Sequence, residues 1–251
     1  MNATSSYKKD YKVRTEHVDF KGKLKLSSLF TYFQDISGLH SEELGMGMEL
    51  LYEKHSVLWV LARIRVDVNR YPSWNDDITI ETWPQKPSRM GFERDFLVRD
   101  QKGNILAKSI SSWVVIDIKT RRLKPTKDIF IGYLPIIEER AIDCRLGGLK
   151  PQGPLELVSR RRVGYSDIDI NRHLNNSKYV DFIMDSFGLE EHEKYHIKSI
   201  EVNYSKEALP GDTMAIYKDL SQHSSGLIYM EGKNEKDDSL TFKSKIEIES
   251  I

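Results

Sequence analysis

Cysteine is almost missing from these 251 residues: Cys144 is the single one. One thiol builds no internal disulfide framework and no Cys-rich zinc site, and it suits a reducing, cytoplasmic compartment. Charge of one sign is not in excess either. Lys plus Arg and Asp plus Glu each total 38. That balance sets aside a strongly basic nucleic-acid binder, which carries surplus Lys and Arg against phosphates. Long apolar runs are lacking as well. The longest are 57–62 and 129–137, the second broken by Gly and Pro, whereas a membrane span needs about 18 residues. The opening residues, Met1 to Asp10, hold no apolar core of a secretory signal. What the chain does have is 10% aromatics, too many for a disordered tail. Its length allows one large domain or two of about 125 residues.

Periodicity divides the chain into two similar halves. Leu26, Leu29, Phe30, Phe33 and Ile36 recur at helical spacing and predict a helix with one apolar stripe, capped by Ser27 or Ser28. Tyr179, Phe182, Ile183 and Phe187 repeat the pattern, with Gly188 as a stop. Strand-like segments follow each helix: 58–68, 77–83, one through Phe92, Phe96 and Val98, and 110–118 in the first half. In the second they are 197–204, 213–220, 228–233 and 240–248. Turn signals repeat too, with Pro72 and Pro210 lying 138 positions apart. A period that long indicates a duplicated domain, since solenoid units run to about 20–50 residues. Gly147-Gly148 and Pro151-Gln152-Gly153-Pro154 read as a linker, which gives domains at 1–146 and 147–251. One long helix before a run of strands, twice, is an α+β plan. The simplest packing wraps an antiparallel sheet around each helix and joins the sheets edge to edge, which protects strand edges.

The chemistry-bearing stretch is Asp167-Ile168-Asp169-Ile170-Asn171-Arg172-His173-Leu174-Asn175-Asn176. Read as an extended segment, it puts Asp169, Asn171 and His173 on one face, just before a helix that starts near Asn175. A helix start presents backbone N–H groups that favour negative charge. Carboxylate, amide, imidazole and helix start form a hydrolytic constellation. Asx-rich runs before helices also serve as caps and turns, with Asn175 and Asn176 as candidates. A metal is a further reading of Asp-x-Asn-x-His, but no second His or Cys cluster supports it, so none is expected.

The pattern Asp169-x-Asn171-x-His173-x-Asn175-Asn176-x-x-Tyr179 resembles the active-site motif of the acyl-acyl-carrier-protein thioesterases, the family that includes the plant plastid enzymes ending fatty-acid synthesis. The resemblance runs over 11–247. It includes Leu58-Trp59-Val60 with Arg63, Arg70-Tyr71-Pro72-Ser73-Trp74, the stretch from Arg94 to Asp100, Ser112-Trp113-Val114 and Thr120-Arg121-Arg122-Leu123. It implies a tandem hotdog fold. It also implies a catalytic Glu after the following strand, usually in a Glu-Cys pair. Glu207 matches that Glu, and Ala208 stands where the Cys would be, so a cysteine nucleophile at that place is excluded.

The implied activity is hydrolysis of fatty acyl-acyl carrier protein to free fatty acid. In that scheme Glu207 acts as general base on water with His173 assisting. Asn171 and an N–H at the helix start hold the thioester oxygen. Asp169 orients His173 or Asn171, or attacks directly. The first half offers Asp19-Phe20-Lys21-Gly22-Lys23-Leu24-Lys25 at the corresponding place, without Asn or His, so one site per chain follows. The resemblance makes the first half the acyl-pocket half, with Phe30, Phe33, Met46, Met48 and Trp59 as lining candidates; ordinary core packing is the competing reading. No cofactor is implied. The expected partner is an acyl carrier protein bearing a fatty acyl chain, steered by Arg160-Arg161-Arg162 and the basic run 119–127; no nucleic acid and no membrane span are expected, and a homodimer stays open. Two alternatives remain: an acyl-CoA thioesterase, and a hotdog module that binds acyl thioesters without cleaving them.

Overall fold

The structure, a computed structural model, describes residues 5–129 and 136–251. Of the apolar run 129–137, residues 130–135 therefore lie outside the description. The described residues fall into two units, Met1–Leu146 and Gly147–Ile251.

In the first unit the predicted stripe becomes α1 (Leu26–Glu43), whose Leu26, Leu29, Phe30, Phe33 and Ile36 are all buried. Burial of such side chains stabilises by roughly 1.5–3 kcal/mol each. The helix does not start on a serine. Lys25 is its N-cap and no side chain caps it, because Ser27 and Ser28 already lie inside the first turn. A second helix, α2 (Met48–His55), follows. The strands are β1 (Tyr7–Lys12), β2 (Val57–Val68), β3 (Asp77–Pro84), β4 (Phe92–Asp100), β5 (Ile105–Asp117) and β6 (Leu123–Lys124). They pair antiparallel in the order β1-β3-β4-β5-β2, with β6 on β5. Phe33 of α1 meets Phe96 of β4 with ring centroids 4.6 Å apart.

The second unit repeats this order. Its strands β7 (Glu156–Arg162), β8 (Tyr195–Tyr204), β9 (Thr213–Asp219), β10 (Leu227–Asn234) and β11 (Leu240–Ser250) pair antiparallel as β7-β9-β10-β11-β8. Helix α3 (Asn176–Met184) buries Tyr179, Val180, Phe182 and Ile183. It ends before Gly188: the Ser186 hydroxyl donates to the Ile183 carbonyl at 2.6 Å, and Gly188 instead opens the short helix α4 (Leu189–Lys194).

Two sequence expectations change. The segment read as a linker is tied to the second unit's sheet. Asn203 donates to the Gly147 carbonyl at 2.7 Å, and the amides of Gln152 and Gly153 each donate to Asp219 Oδ2 at 2.7 Å. Glycine is required at 153, where a Cβ would come within 2.6 Å of the Ser221 side chain. The two prolines are also not equivalent. Val13 N donates to Asp76 O and Val163 N to Asp212 O, while Leu24 N donates to Pro72 O and Leu174 N to Ala208 O. Hydrogen bonding thus aligns Pro72 with Ala208, and Tyr71 with Glu207.

Candidate active site

The stretch 169–173 is a tight loop, not an extended segment. Asp169 Oδ1 accepts the backbone N–H groups of Asn171 at 2.8 Å and His173 at 3.2 Å. The Asp169 N–H donates to His173 O at 2.9 Å, and Arg172 N–H to Asp169 O at 3.0 Å. Arg172 takes a left-handed conformation, φ 64°, and Ile168 bridges to Leu174 across the loop. An Asx side chain that captures amides further along its own chain overrides the strand alternation inferred from residue type.

The first unit builds the same loop without the chemistry. Asp19 Oδ1 accepts from Lys21 N and Lys23 N, both at 2.9 Å. Gly22 supplies the left-handed residue with φ 69°, and Val18 bridges to Leu24. Where the second unit places Asn171 and His173, the first places Lys21 and Lys23.

Each site residue can now be located. His173 Nε2 lies 3.4 Å from Glu207 Oε2, with side chains 25% and 37% exposed. The structure brings these two predicted side chains together, and solvent can reach both. Asn171 is exposed at the loop tip, held through its backbone N–H. The carboxylate of Asp169 is directed to its own loop's amides. At the start of α3, Asn175 is the N-cap, as anticipated: its Oδ1 accepts from Ser177 N and Ser177 Oγ, both at 2.9 Å, and its carbonyl accepts from Lys178 N at 2.8 Å. Those two helix amides are thereby satisfied internally.

Glu207 follows β8 on a pinned loop. Ser205 N and Lys206 N donate to Thr241 O and Leu240 O at 2.9 and 3.1 Å. Ala208, fully buried, is held on both sides: its carbonyl accepts from Leu174 N at 2.9 Å and its N–H donates to the Tyr179 hydroxyl at 3.2 Å. Sequence reasoning noted Tyr179 as the end of a motif and a core residue, but not this contact. Burial raises the Tyr179 pKa above the ordinary phenol value; the Ala208 bond opposes this, and the carboxylates of Glu207, Asp169 and Asp212 reinforce it. The phenol therefore stays protonated beside these acids.

The remaining candidates are placed within their own units. Phe30, Phe33 and Met46 are buried. Trp59 donates to Met46 O at 3.0 Å and packs edge-on to Phe92 at 4.9 Å, while Met48 is exposed. Cys144 packs against the cluster of Trp83, Leu97, Ile110, Ala141 and Leu146 in the first unit. Arg160 and Arg161 sit on edge strand β7 and pair with Glu235 at 2.5 Å and Asp185 at 3.0 Å. In the run 119–127, Lys124 pairs with Asp117 at 3.4 Å, and Lys119, Arg121, Arg122 and Lys127 are exposed. Among the described residues, no group of three or more His, Cys, Asp or Glu is placed to hold a metal ion, and no helix is long and apolar enough to cross a membrane.

A helix packed on an antiparallel sheet, followed by the same arrangement again, defines a tandem hotdog protein. The chain belongs to the acyl-ACP thioesterase family: the family's N-terminal domain model matches residues 4–133 and its C-terminal domain model residues 156–250. A crystal structure of an acyl-ACP thioesterase from Bacteroides thetaiotaomicron matches with TM-score 0.87 and 26% identity over 98% of each chain. The fold is shared with a 12:0-ACP thioesterase from Umbellularia californica, at TM-score 0.79 and 23% identity, over 99% of this chain and 98% of the other. Among curated relatives, the chloroplastic acyl-[acyl-carrier-protein] hydrolase FATB3 of Cuphea viscosissima is 27% identical over 80% of this chain and 52% of its own length. The chloroplastic oleoyl-acyl carrier protein thioesterase of Coriandrum sativum is 27% identical over 83% of this chain and 61% of its own. The chain thus spans about half to three-fifths of the length of these curated relatives.

Proposed function

We propose that this chain hydrolyses fatty acyl-acyl carrier protein, releasing the free fatty acid and the carrier thiol in fatty acid biosynthesis, with its site in the second unit. Family membership supports the substrate class. The observation that carries the chemistry is the 3.4 Å approach of Glu207 to His173 in a place open to solvent.

A thioester carbonyl is electrophilic and a thiolate leaves readily, so activated water and oxyanion stabilisation suffice. In this scheme an imidazole N–H at Nε2 faces Glu207 and fixes its carboxylate. Water approaching that carboxylate gives up a proton as its oxygen bonds to the carbonyl carbon. The carboxamide of Asn171 meets the charge that develops on the carbonyl oxygen. One such donor changes rate by about 10²–10³. Collapse of the tetrahedral adduct breaks the C–S bond, and the proton held by Glu207 passes to the sulfur, directly or through His173. Asp169 shapes the loop that presents Asn171 and His173. Since Ser177 N and Lys178 N serve the Asn175 cap, the oxyanion role falls to Asn171 in this scheme and not to those helix amides.

The first unit, with Lys23 and Tyr71 at the equivalent positions, serves the acyl chain. The exposed basic run 119–127 offers charge complementary to an acidic carrier. A cytoplasmic setting fits the single cysteine. Thiol release across acyl-carrier-protein and acyl-CoA substrates, with Glu207→Ala and His173→Ala in parallel, tests the reading. Carrier-selective release lost in both variants is expected. Release favouring CoA esters would redirect the substrate class, and equal release from wild type and variants would overturn the site.

A further inference from the structure

We infer that the Tyr179 hydroxyl is a positioning group for the proposed reaction: by accepting the Ala208 N–H it holds the adjoining Glu207 against His173. The inference rests on the hydrolytic reading above and extends it to a residue outside the reacting pair.

Three observations support it. The Ala208 backbone is held on both sides: its carbonyl accepts from Leu174 N at 2.9 Å and its N–H donates to the Tyr179 hydroxyl at 3.2 Å. Both grips come from the segment that carries His173, so they fix the distance between two loops that approach from different strands. Tyr179 is itself closely packed: it is 3% exposed and lies edge-on to Tyr204 at 5.4 Å and Phe242 at 5.9 Å. The third observation is an internal control. The first unit keeps the carbonyl grip, Leu24 N to Pro72 O at 2.8 Å. Yet it has Leu29 where Tyr179 would be, and Pro72 where Ala208 would be. Acceptor and donor are both missing in the unit without the His–Glu pair. The amide bond is therefore dispensable for the fold of this loop, and it occurs where a carboxylate must be placed accurately.

Tyr179→Phe removes one oxygen and keeps the ring. The matched control is Tyr204→Phe, which also loses a tyrosine hydroxyl bond, a part-buried one to Asn176 O at 2.9 Å, without releasing the Ala208 amide. Tyr179→Phe is expected to lower kcat about 10- to 100-fold with KM within about twofold, since an ångström of misplacement has effects of that size. It should also speed amide hydrogen exchange at 207–209 at least about tenfold. Tyr204→Phe should lower the melting temperature by a similar few degrees while kcat stays within about threefold. Equal kcat losses in the two variants, or unchanged exchange at 207–209 in Tyr179→Phe, would overturn the inference. A wild-type chain inert towards acyl carrier protein substrates would sink the proposed activity instead, and the exchange measurement would still decide the clasp.

Discussion

The pair Asp169 and Asp19 separates an architectural carboxylate from a reacting one. Each accepts two backbone N–H groups, at 2.8 and 3.2 Å for Asp169 and at 2.9 and 2.9 Å for Asp19. Hydrogen bonds to a charged acceptor contribute about 1.5–3 kcal/mol and neutral ones about 0.5–1.5 kcal/mol. Asparagine keeps the Oδ1 acceptor and loses the charge, so Asp→Asn should cost about 1–2 kcal/mol at either position. Asp→Ala should cost about 2–4 kcal/mol, less where water reaches the freed amides. At about 2–4 °C per kcal/mol for a chain of this size, the melting temperature should fall by similar amounts in the two series. Activity should not follow the same course. Asp19 variants should keep kcat. Asp169→Asn should retain it within about tenfold, because the loop survives, whereas Asp169→Ala should lose about 10²–10³ through displacement of Asn171 and His173. Single-turnover thiol release from acyl carrier protein substrate reads these values. If Asp169 were the nucleophile, Asn would be as damaging as Ala, and a single turnover in oxygen-18 water would leave label in the enzyme. Either result refutes the loop-forming role.

Glu207→Gln should lower kcat by about 10²–10⁴, the range for loss of a general base, while unfolding shifts little, because a pair this exposed is worth at most about 1 kcal/mol. Retention of more than a tenth of wild-type kcat would count against Glu207 as base. Burial of Asp219 disfavours its charge, yet the bonds from Ser221, Gly153 and Gln152 prevail and bring its pKa down to about 2. Its contribution is therefore complete above the ordinary carboxylate value near pH 4 and lost as pH falls through about 2. Asp219→Asn should melt several degrees lower than wild type at pH 5–8, with the gap closing below pH 4; a gap independent of pH down to 2 would contradict this. Reversing two exposed charges, Arg122→Glu with Lys127→Glu, should raise KM for carrier-bound substrate severalfold at low salt and less at 0.5 M, where the screening length is about 4 Å. Salt-independent kinetics would remove this run from docking.

The sequence disclosed the elements that bury a face. Helices α1 and α3 were legible because their apolar residues keep helical spacing, and the central strands because β-branched and aromatic residues crowd them. Edge strands β1 and β7 were not: Tyr7-Lys8-Lys9-Asp10-Tyr11-Lys12 and Glu156-Leu157-Val158-Ser159-Arg160-Arg161-Arg162 look like loops. Edges need only one paired side, and charge there blocks further pairing. At the site, spacing alone suggested a flat face at 169–173. A backbone-directed aspartate and a left-handed arginine bend it instead. Comparison with Asp19-Phe20-Lys21-Gly22-Lys23, where glycine marks the left-handed position openly, was the signal that would have exposed the turn. The proximity of Glu207 to His173 was not legible from the residues between them. It came from the resemblance, because 34 positions of helix and strand separate the two.

The duplicated frame sorts the residues by what they do. Positions that form the loop are held in both units: Asp19 and Asp169 over the turn, Leu24 and Leu174 donating across to the next loop, Asp76 and Asp212 closing it. Positions that differ cluster at the place where chemistry is proposed: Lys21 against Asn171, Lys23 against His173, Tyr71 against Glu207, Leu29 against Tyr179 and Pro72 against Ala208. A loop that is built with either set does not need the second set for its own backbone hydrogen bonds. Side chains that the loop does not need, gathered around one carboxylate and one imidazole, are free to be selected for what they do to a substrate. That is why Asp→Asn at the shared aspartates, which keeps the loop, should register mainly as melting temperature, and changes at the differing positions mainly as kcat.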